Sequence, residues 1–167
     1  MRRNVALVAV LLLLVLSSQA APSGEHAKAA FQKLQTLAGT WEGTGMGGKA
    51  KTTFEILAAK TAVLETIAMP EMEEMVTLYS VDGDSIALVH YCPTNNQPRV
   101  RATPALNDVK QLTFEFTSAG NLPSPETGHQ HQLVIDFEDA DHITETWTWR
   151  AKGKDTPMMF HFTRKKS

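Results

Sequence analysis

The chain reads as an all-β protein: an antiparallel up-and-down β-barrel of about ten strands, with a short N-terminal helix capping one end. Three observations predict this. Apolar residues recur with helical spacing only over residues 24–38, and from Gly39 onward the period becomes two. Turn-forming pairs then return at about the 8–12-residue spacing of hairpin-linked strands, among them Gly47-Gly48, Asp82-Gly83 and Gly153-Lys154. No repeat, low-complexity tract or linker interrupts the series, so residues 21–167 are expected to form one domain.

Residues 1–20 stand apart. Arg2 and Arg3 precede an unbroken apolar run from Val5 to Leu16, followed by Ser17-Ser18-Gln19-Ala20. This is the order of a secretory signal peptide with cleavage after Ala20. The run is shorter than the roughly 20 apolar residues of a permanent span, so a secreted or periplasmic protein without a stable membrane span is expected. Cleavage takes two arginines and no acid, so the net charge of −2 becomes −4. A mildly acidic surface with no basic stripe speaks against nucleic acid as a partner. Cys92 is the single cysteine, so no internal disulfide forms and stability must come from the core. Its thiol is open to three roles: small buried apolar group, ligand, or link between chains.

The helix is expected over Gly24 to Ala38, where Ala27, Ala30, Phe31, Leu34 and Ala38 make one apolar stripe. Ser23 is suited to cap its start and Gly39 its end. The stripe is expected to cover the barrel end near Trp41. The strands follow as Thr40–Met46, Lys49–Leu57, Ala62–Ala68, Met75–Ser80, Ser85–Tyr91, Gln97–Thr103, Gln111–Phe116, His129–Phe137, His142–Arg150 and Pro157–Thr163. Other connections fall at Ala59-Lys60, Pro70-Glu71, Pro93 to Asn96, Asn107-Asp108 and Asp139-Ala140, and Asp82-Gly83 suits a type I′ hairpin. The longest connection, Thr117 to Gly128, is expected to be a lid or binding loop. Hairpin-linked strands alternate direction, so with Trp41 at the bottom this loop overhangs the top, together with the Gly47, Pro70, Pro93–Asn96 and Gly153 connections.

Strand parity assigns the interior. Inward sets are expected at Ile86, Leu88, His90 and Cys92, at Leu112, Phe114 and Phe116, and at Met158, Phe160 and Phe162 in phase with Arg164. His129 and His131 share a face with Leu133, Ile135 and Phe137, and Glu145, Trp147 and Trp149 with Ile143, leaving Thr144, Thr146 and Thr148 in water. Trp41 is in phase with Gly43 and Gly45, which would leave room inside, while Arg99 and Arg101 are expected to point out.

The top mouth thus gathers His90, Cys92, His129 and His131, with Trp147, Trp149 and Phe114 as apolar walls. His129-x-His131 sets two imidazoles about 6.6–7 Å apart along one strand face, within reach of one metal ion. The pair His90 and Cys92 lies three strands away, an arc of roughly 14 Å, so a four-ligand site would need a flattened barrel. Glu145 among inward tryptophans is either a buried carboxylate satisfied by an Arg or Tyr or a polar anchor for a ligand. Met69, Met72 and Met75 suggest surface or rim packing, with a loosely spaced copper-binding methionine site as the alternative. The sequence has no Gly-x-Ser-x-Gly elbow, no His-Glu-x-x-His and no Gly-rich phosphate loop, so no catalytic residues are assigned.

Gly39-Thr40-Trp41 at the start of the first strand, after a short helix and with Arg164 at the end of the last, resembles the calycin superfamily of lipocalins and fatty-acid-binding proteins. The resemblance covers about Phe31 to Lys165 and implies that Gly39, Trp41 and Arg164 are structural, with Arg164 packing on Trp41 at the closed end. Size, strand number and lack of disulfides make the chain similar to the nitrobindin and fatty-acid-binding branch, and to uncharacterised secreted bacterial proteins with lipocalin-like domains. Nitrobindins bind haem through a histidine late in the chain, for which His161 is the only match here. Parity sets His161 on the outside, opposite Phe160 and Phe162. The sequence therefore admits three readings: a barrel binding a small, largely apolar molecule, a metal-binding protein or metal-dependent enzyme built on His129 and His131, or a barrel filled with its own side chains that serves as a structural or interaction protein. No cofactor is assigned.

Overall fold

The computed structural model describes residues 24–105 and 108–166; the signal-peptide reading, Ser23 and Asn107 fall outside them. One helix, α1 (Glu25–Gln35), precedes ten strands: β1 (Gly39–Gly45), β2 (Gly48–Leu57), β3 (Ala62–Ala68), β4 (Met75–Asp82), β5 (Ser85–Tyr91), β6 (Gln97–Ala102), β7 (Gln111–Gly120), β8 (His129–Phe137), β9 (His142–Ala151) and β10 (Lys154–Arg164). Each strand pairs antiparallel with the next, and β1 closes on β10 with Trp41 opposite Arg164. Closure leaves the sheet without a free edge.

The helix is shorter than its apolar pattern. Thr36 caps its end and the chain turns through Leu37 and Ala38 before Gly39, whose φ of 123° suits only glycine. Ala27, Ala30, Phe31 and Leu34 are buried, so α1 lies across the bottom as its stripe requires. There Trp41 is fully buried and donates Nε1–H to Leu37 O at 2.8 Å. The Arg164 guanidinium lies 4.1 Å from the Trp41 ring centre and donates to Thr36 O, Ala38 O and Ala140 O at 2.8, 3.0 and 3.1 Å. One side chain thus satisfies two carbonyls just past the helix end and a third in the turn between β8 and β9.

Above this seal the interior is solid. Phe54, Tyr79, Leu88, Phe114, Leu133, Ile135 and Phe162 are all buried. Gly43 and Gly45 leave no room: a Cβ on Gly45 would fall 1.9 Å from the Phe160 ring, and one on Gly43 1.8 Å from the His161 carbonyl oxygen. They allow β10 to close against β1. Thr144, expected in water, is buried on the outer face, where it donates to Glu138 at 2.5 Å and accepts from His161 Nδ1 at 2.9 Å. His161 itself points outward, as parity requires, and so do Arg99 and Arg101.

A bulge lengthens β7. Arg99 pairs with Ser118 and Val100 with Phe116, so Thr117 is left unpaired and donates its hydroxyl to Arg99 O at 2.9 Å. The ladder then runs on to Gly120, and the connection from β7 to β8 at the top narrows to residues 121–128. It is tied down by Asn96 Nδ2 donating to Gly128 O at 2.9 Å and by Lys152 N–H donating to Glu126 O at 3.0 Å. The expected lid is therefore a short, anchored turn.

Candidate functional site

Among the described residues the barrel opens inside at the top. A cavity of about 310 Å³ lies there. Its floor and walls are Ile67 from β3, Met75 from β4, His90 from β5, Gln130 from β8, Trp147 and Trp149 from β9, and Met158 and Phe160 from β10. Met46, Met72, Cys92, Pro93 and Thr94 from the loops form its rim, where Met46 and Met72 are about half exposed. No residue of the 121–128 turn lines it, and neither does any Asp, Glu, Lys or Arg. Aromatic rings and flexible thioethers make such a wall adaptable to apolar surfaces.

Two buried polar groups interrupt that wall. His90 is 1 % exposed; its Nδ1 pairs with Thr77 Oγ1 at 2.9 Å and its ring lies 4.5 Å from the Trp147 indole. Its Nε2 has no hydrogen-bond partner. Burial pushes its pKa down to about 4, so the ring is neutral at ordinary pH. Gln130 is 6 % exposed and its Oε1 is equally without a partner. Cys92 Sγ sits 2.9 Å from Thr94 Oγ1 at the rim.

Beneath the floor lies a pair of buried carboxyls. Glu65 accepts from Tyr79 Oη at 2.7 Å and Thr52 Oγ1 at 3.0 Å, and Glu145 accepts from Trp147 Nε1 at 3.2 Å. Both are fully buried, near enough to shift each other's titration, and Glu145 Oε1 has no other partner. Burial raises both pKa values; Glu145 goes well above the usual carboxylate range because the neighbouring Glu65 adds to the effect. Glu145 therefore holds a proton at ordinary pH. Tyr79 is likewise pushed well up by burial and then by these carboxyls, so it remains a donor.

Of the residues singled out in the sequence, His90, Cys92, Trp147 and Trp149 meet at the cavity. Phe114 and Glu145 do not line it: Phe114 lies deeper, edge-to-face with Tyr79 at 5.8 Å, and Glu145 belongs to the carboxyl pair. His129 and His131 depart furthest from expectation. The β8 to β9 register slips between Gln130 and Gln132, which leaves His131 as an extra residue. The slip reverses the phase above it, so Gln130, opposite Trp149, faces the cavity and the two histidines do not. They fill the seam where β7 and β8 part above Glu115, with the Phe116 ring 4.8 and 4.9 Å from theirs.

The seam is a closed hydrogen-bond chain. Arg150 donates to His131 Nε2 at 2.6 Å, His131 Nδ1 donates to His129 Nε2 at 3.1 Å, and His129 Nδ1 donates to Thr127 O at 2.7 Å. Asp155 holds Arg150 through paired contacts of 2.6 and 2.7 Å. All four ring nitrogens are thus engaged. His131 is lowered in pKa by burial first and by Arg150 next. Among the described residues no group of three or more His, Cys, Asp or Glu is placed to hold a metal ion.

Glu65 and Gln130 were not singled out from the sequence. Glu65 was legible, since it alternates with Val63 and Ile67 on the inward face of β3. Gln130 was not, because nothing in the alternation marks the bulge beside it.

No protein-family model matches the chain, and no curated protein matches it. Among solved structures the barrel is similar to the crystal structure of Rv2717c from M. tuberculosis, with a TM-score of 0.60 and 17 % sequence identity. The match covers 82 % of this chain and 98 % of that one, and at this identity the likeness is one of fold.

Proposed function

We propose that this protein is a binding barrel that holds a small, largely apolar molecule in the cavity at its open end. The observation that carries the reading is a cavity of about 310 Å³ walled by Trp147, Trp149, Phe160, Ile67 and four methionines, in a barrel that is otherwise filled. A pocket of about 150 Å³ is enough for benzene, so this volume suits a molecule of about two rings. Thioether-rich walls favour tolerance over tight selection. We infer further that the chain is secreted or periplasmic, on the signal-like order of residues 1–20, and that the barrel is a calycin, on the meeting of Gly39, Trp41 and Arg164 at its closed end.

Native mass spectrometry with metal analysis, on protein purified from its own host, tests this reading. The wild type should carry an extra organic mass that Met158→Trp, which fills the cavity, lacks. A bare wild type that also fails to take up two-ring aromatic probes would overturn the proposal, and a stoichiometric metal lost on His129→Ala with His131→Ala would replace it with the metal reading.

A further inference from the structure

The apolar wall explains why a molecule would enter the cavity, but not which one. Two atoms bear on that question. His90 Nε2 and Gln130 Oε1 both belong to cavity-lining side chains, both side chains are more than nine-tenths buried, and neither atom has a partner in the protein. A buried polar atom without a partner costs about 1–3 kcal/mol, and a folded protein holds few of them. Two in one small cavity, on strands β5 and β8 of a barrel where Asn96 Oδ1 and Glu145 Oε1 are the other unpaired buried side-chain atoms among the described residues, mark places where a ligand atom completes the bonding.

The chemistry of the two atoms narrows the ligand. Gln130 Oε1 accepts only. His90 Nε2 donates or accepts according to which way the proton runs in the bond to Thr77, and that hydroxyl serves either tautomer. A ligand group that both donates and accepts answers either atom, as a hydroxyl does. An ionised carboxylate finds no cation in the wall, since no Lys or Arg lines the cavity and His90 is neutral.

Resting on the binding-barrel reading, we propose that the cavity selects a neutral, mostly apolar molecule of about two rings that bears a hydroxyl, with His90 Nε2 and Gln130 Oε1 as the groups that read it. His90 is the better held of the two, fixed by its cross-strand neighbour Thr77 and by the Trp147 ring. The rest of the wall discriminates only by size.

Isothermal titration at neutral pH with three probes of one shape tests this: 2-naphthol, 2-methylnaphthalene and 2-naphthoate. The expected result is that the naphthol binds about tenfold tighter than the methyl compound, which is what one net hydrogen bond supplies, and that the naphthoate binds weakest. Gln130→Leu and His90→Phe should each reduce the preference for naphthol over methylnaphthalene. If His90→Phe fails to fold, the double variant Thr77→Val with His90→Phe removes the stranded hydroxyl and takes its place. Equal binding of naphthol and methylnaphthalene, tightest binding of the naphthoate, or a preference that survives both Gln130→Leu and His90→Phe would overturn this proposal and leave the binding-barrel reading standing. If no probe binds at all, both fall.

Discussion

His90 and Glu145 are buried titratable groups whose pKa values move in opposite directions, and each makes stability depend on pH in its own way. His90 has its folded pKa lowered from 6.5 to about 4. Its contribution is present above the unfolded value and is lost as pH falls from about 6.5 to about 4, because the unfolded chain takes up the proton first. The loss should approach about 3 kcal/mol, and urea denaturation of His90→Phe across that range should show that part of the acid sensitivity gone. Glu145 runs the other way. Its raised pKa leaves folding undisturbed below the ordinary carboxylate range, and the folded state loses ground as pH rises, because the unfolded chain ionises first. Glu145→Gln keeps an acceptor for Trp147 without that proton. It should be more stable than wild type by about 1–3 kcal/mol at pH 7.5 and equal to it near pH 4; a variant less stable at pH 7.5 would mean that the carboxyl pair contributes more than it costs. Glu145 was visible in the sequence as an inward carboxylate among tryptophans, but its pairing with Glu65 was not, because only the closed barrel brings β3 and β9 face to face across the interior.

Three strand irregularities carry much of what distinguishes this barrel from a regular one. The turn after β2 takes Ala58, Ala59 and Lys60 through φ values of 50°, 53° and 70°, a left-handed path that costs a side chain with Cβ about 1–2 kcal/mol at each residue. Ala59→Gly should therefore stabilise the fold by up to about 1 kcal/mol in thermal or urea melts; a loss would show that Ala59 makes contacts worth more than the strain. The bulge at Thr117 extends β7 and shortens the loop expected to cover the mouth. The bulge at His131 exchanges Gln130 for the two histidines at the cavity wall. Parity therefore placed His90, Trp147 and Trp149 correctly on regular strands, and Cys92 just past the end of β5, and failed on β8 for one reason: alternation encodes which side chains share a face only while the ladder stays in phase. At the closed end, residues far apart in sequence meet in one contact. Arg164→Ala removes three hydrogen bonds to carbonyls and the stacking on Trp41, and should cost about 2–4 kcal/mol in urea denaturation followed by tryptophan fluorescence. A cost under about 0.5 kcal/mol would show that α1 seals the barrel without it.

Across the whole molecule, the barrel divides into a sealed, filled lower part and an open upper part. The residues between α1 and Phe114 leave no space, whereas the thioethers and indoles above His90 enclose a cavity. A ligand held there stabilises the folded state alone, so a two-ring hydroxylated probe at about 100 times its Kd should add about 2.7 kcal/mol, a rise in Tm of about 5–10 °C for a domain of this size. Met158→Trp, which occupies the same space, should show no such rise. The sequence by itself determined the class of fold, the number and order of the ten strands, with β7 and β10 running three or four residues beyond their expected ends, and the helix ahead of them, because each follows from a local period or a turn pair. The Trp41 and Arg164 seal followed from the resemblance those residues carry. Only the tertiary structure decided that the lower barrel is full and the top is not, that Glu65 meets Glu145, and that Gln130 replaces His129 and His131 at the wall. Those outcomes depend on ladder register and on side chains meeting across the interior, and neither is written in the spacing of any one strand.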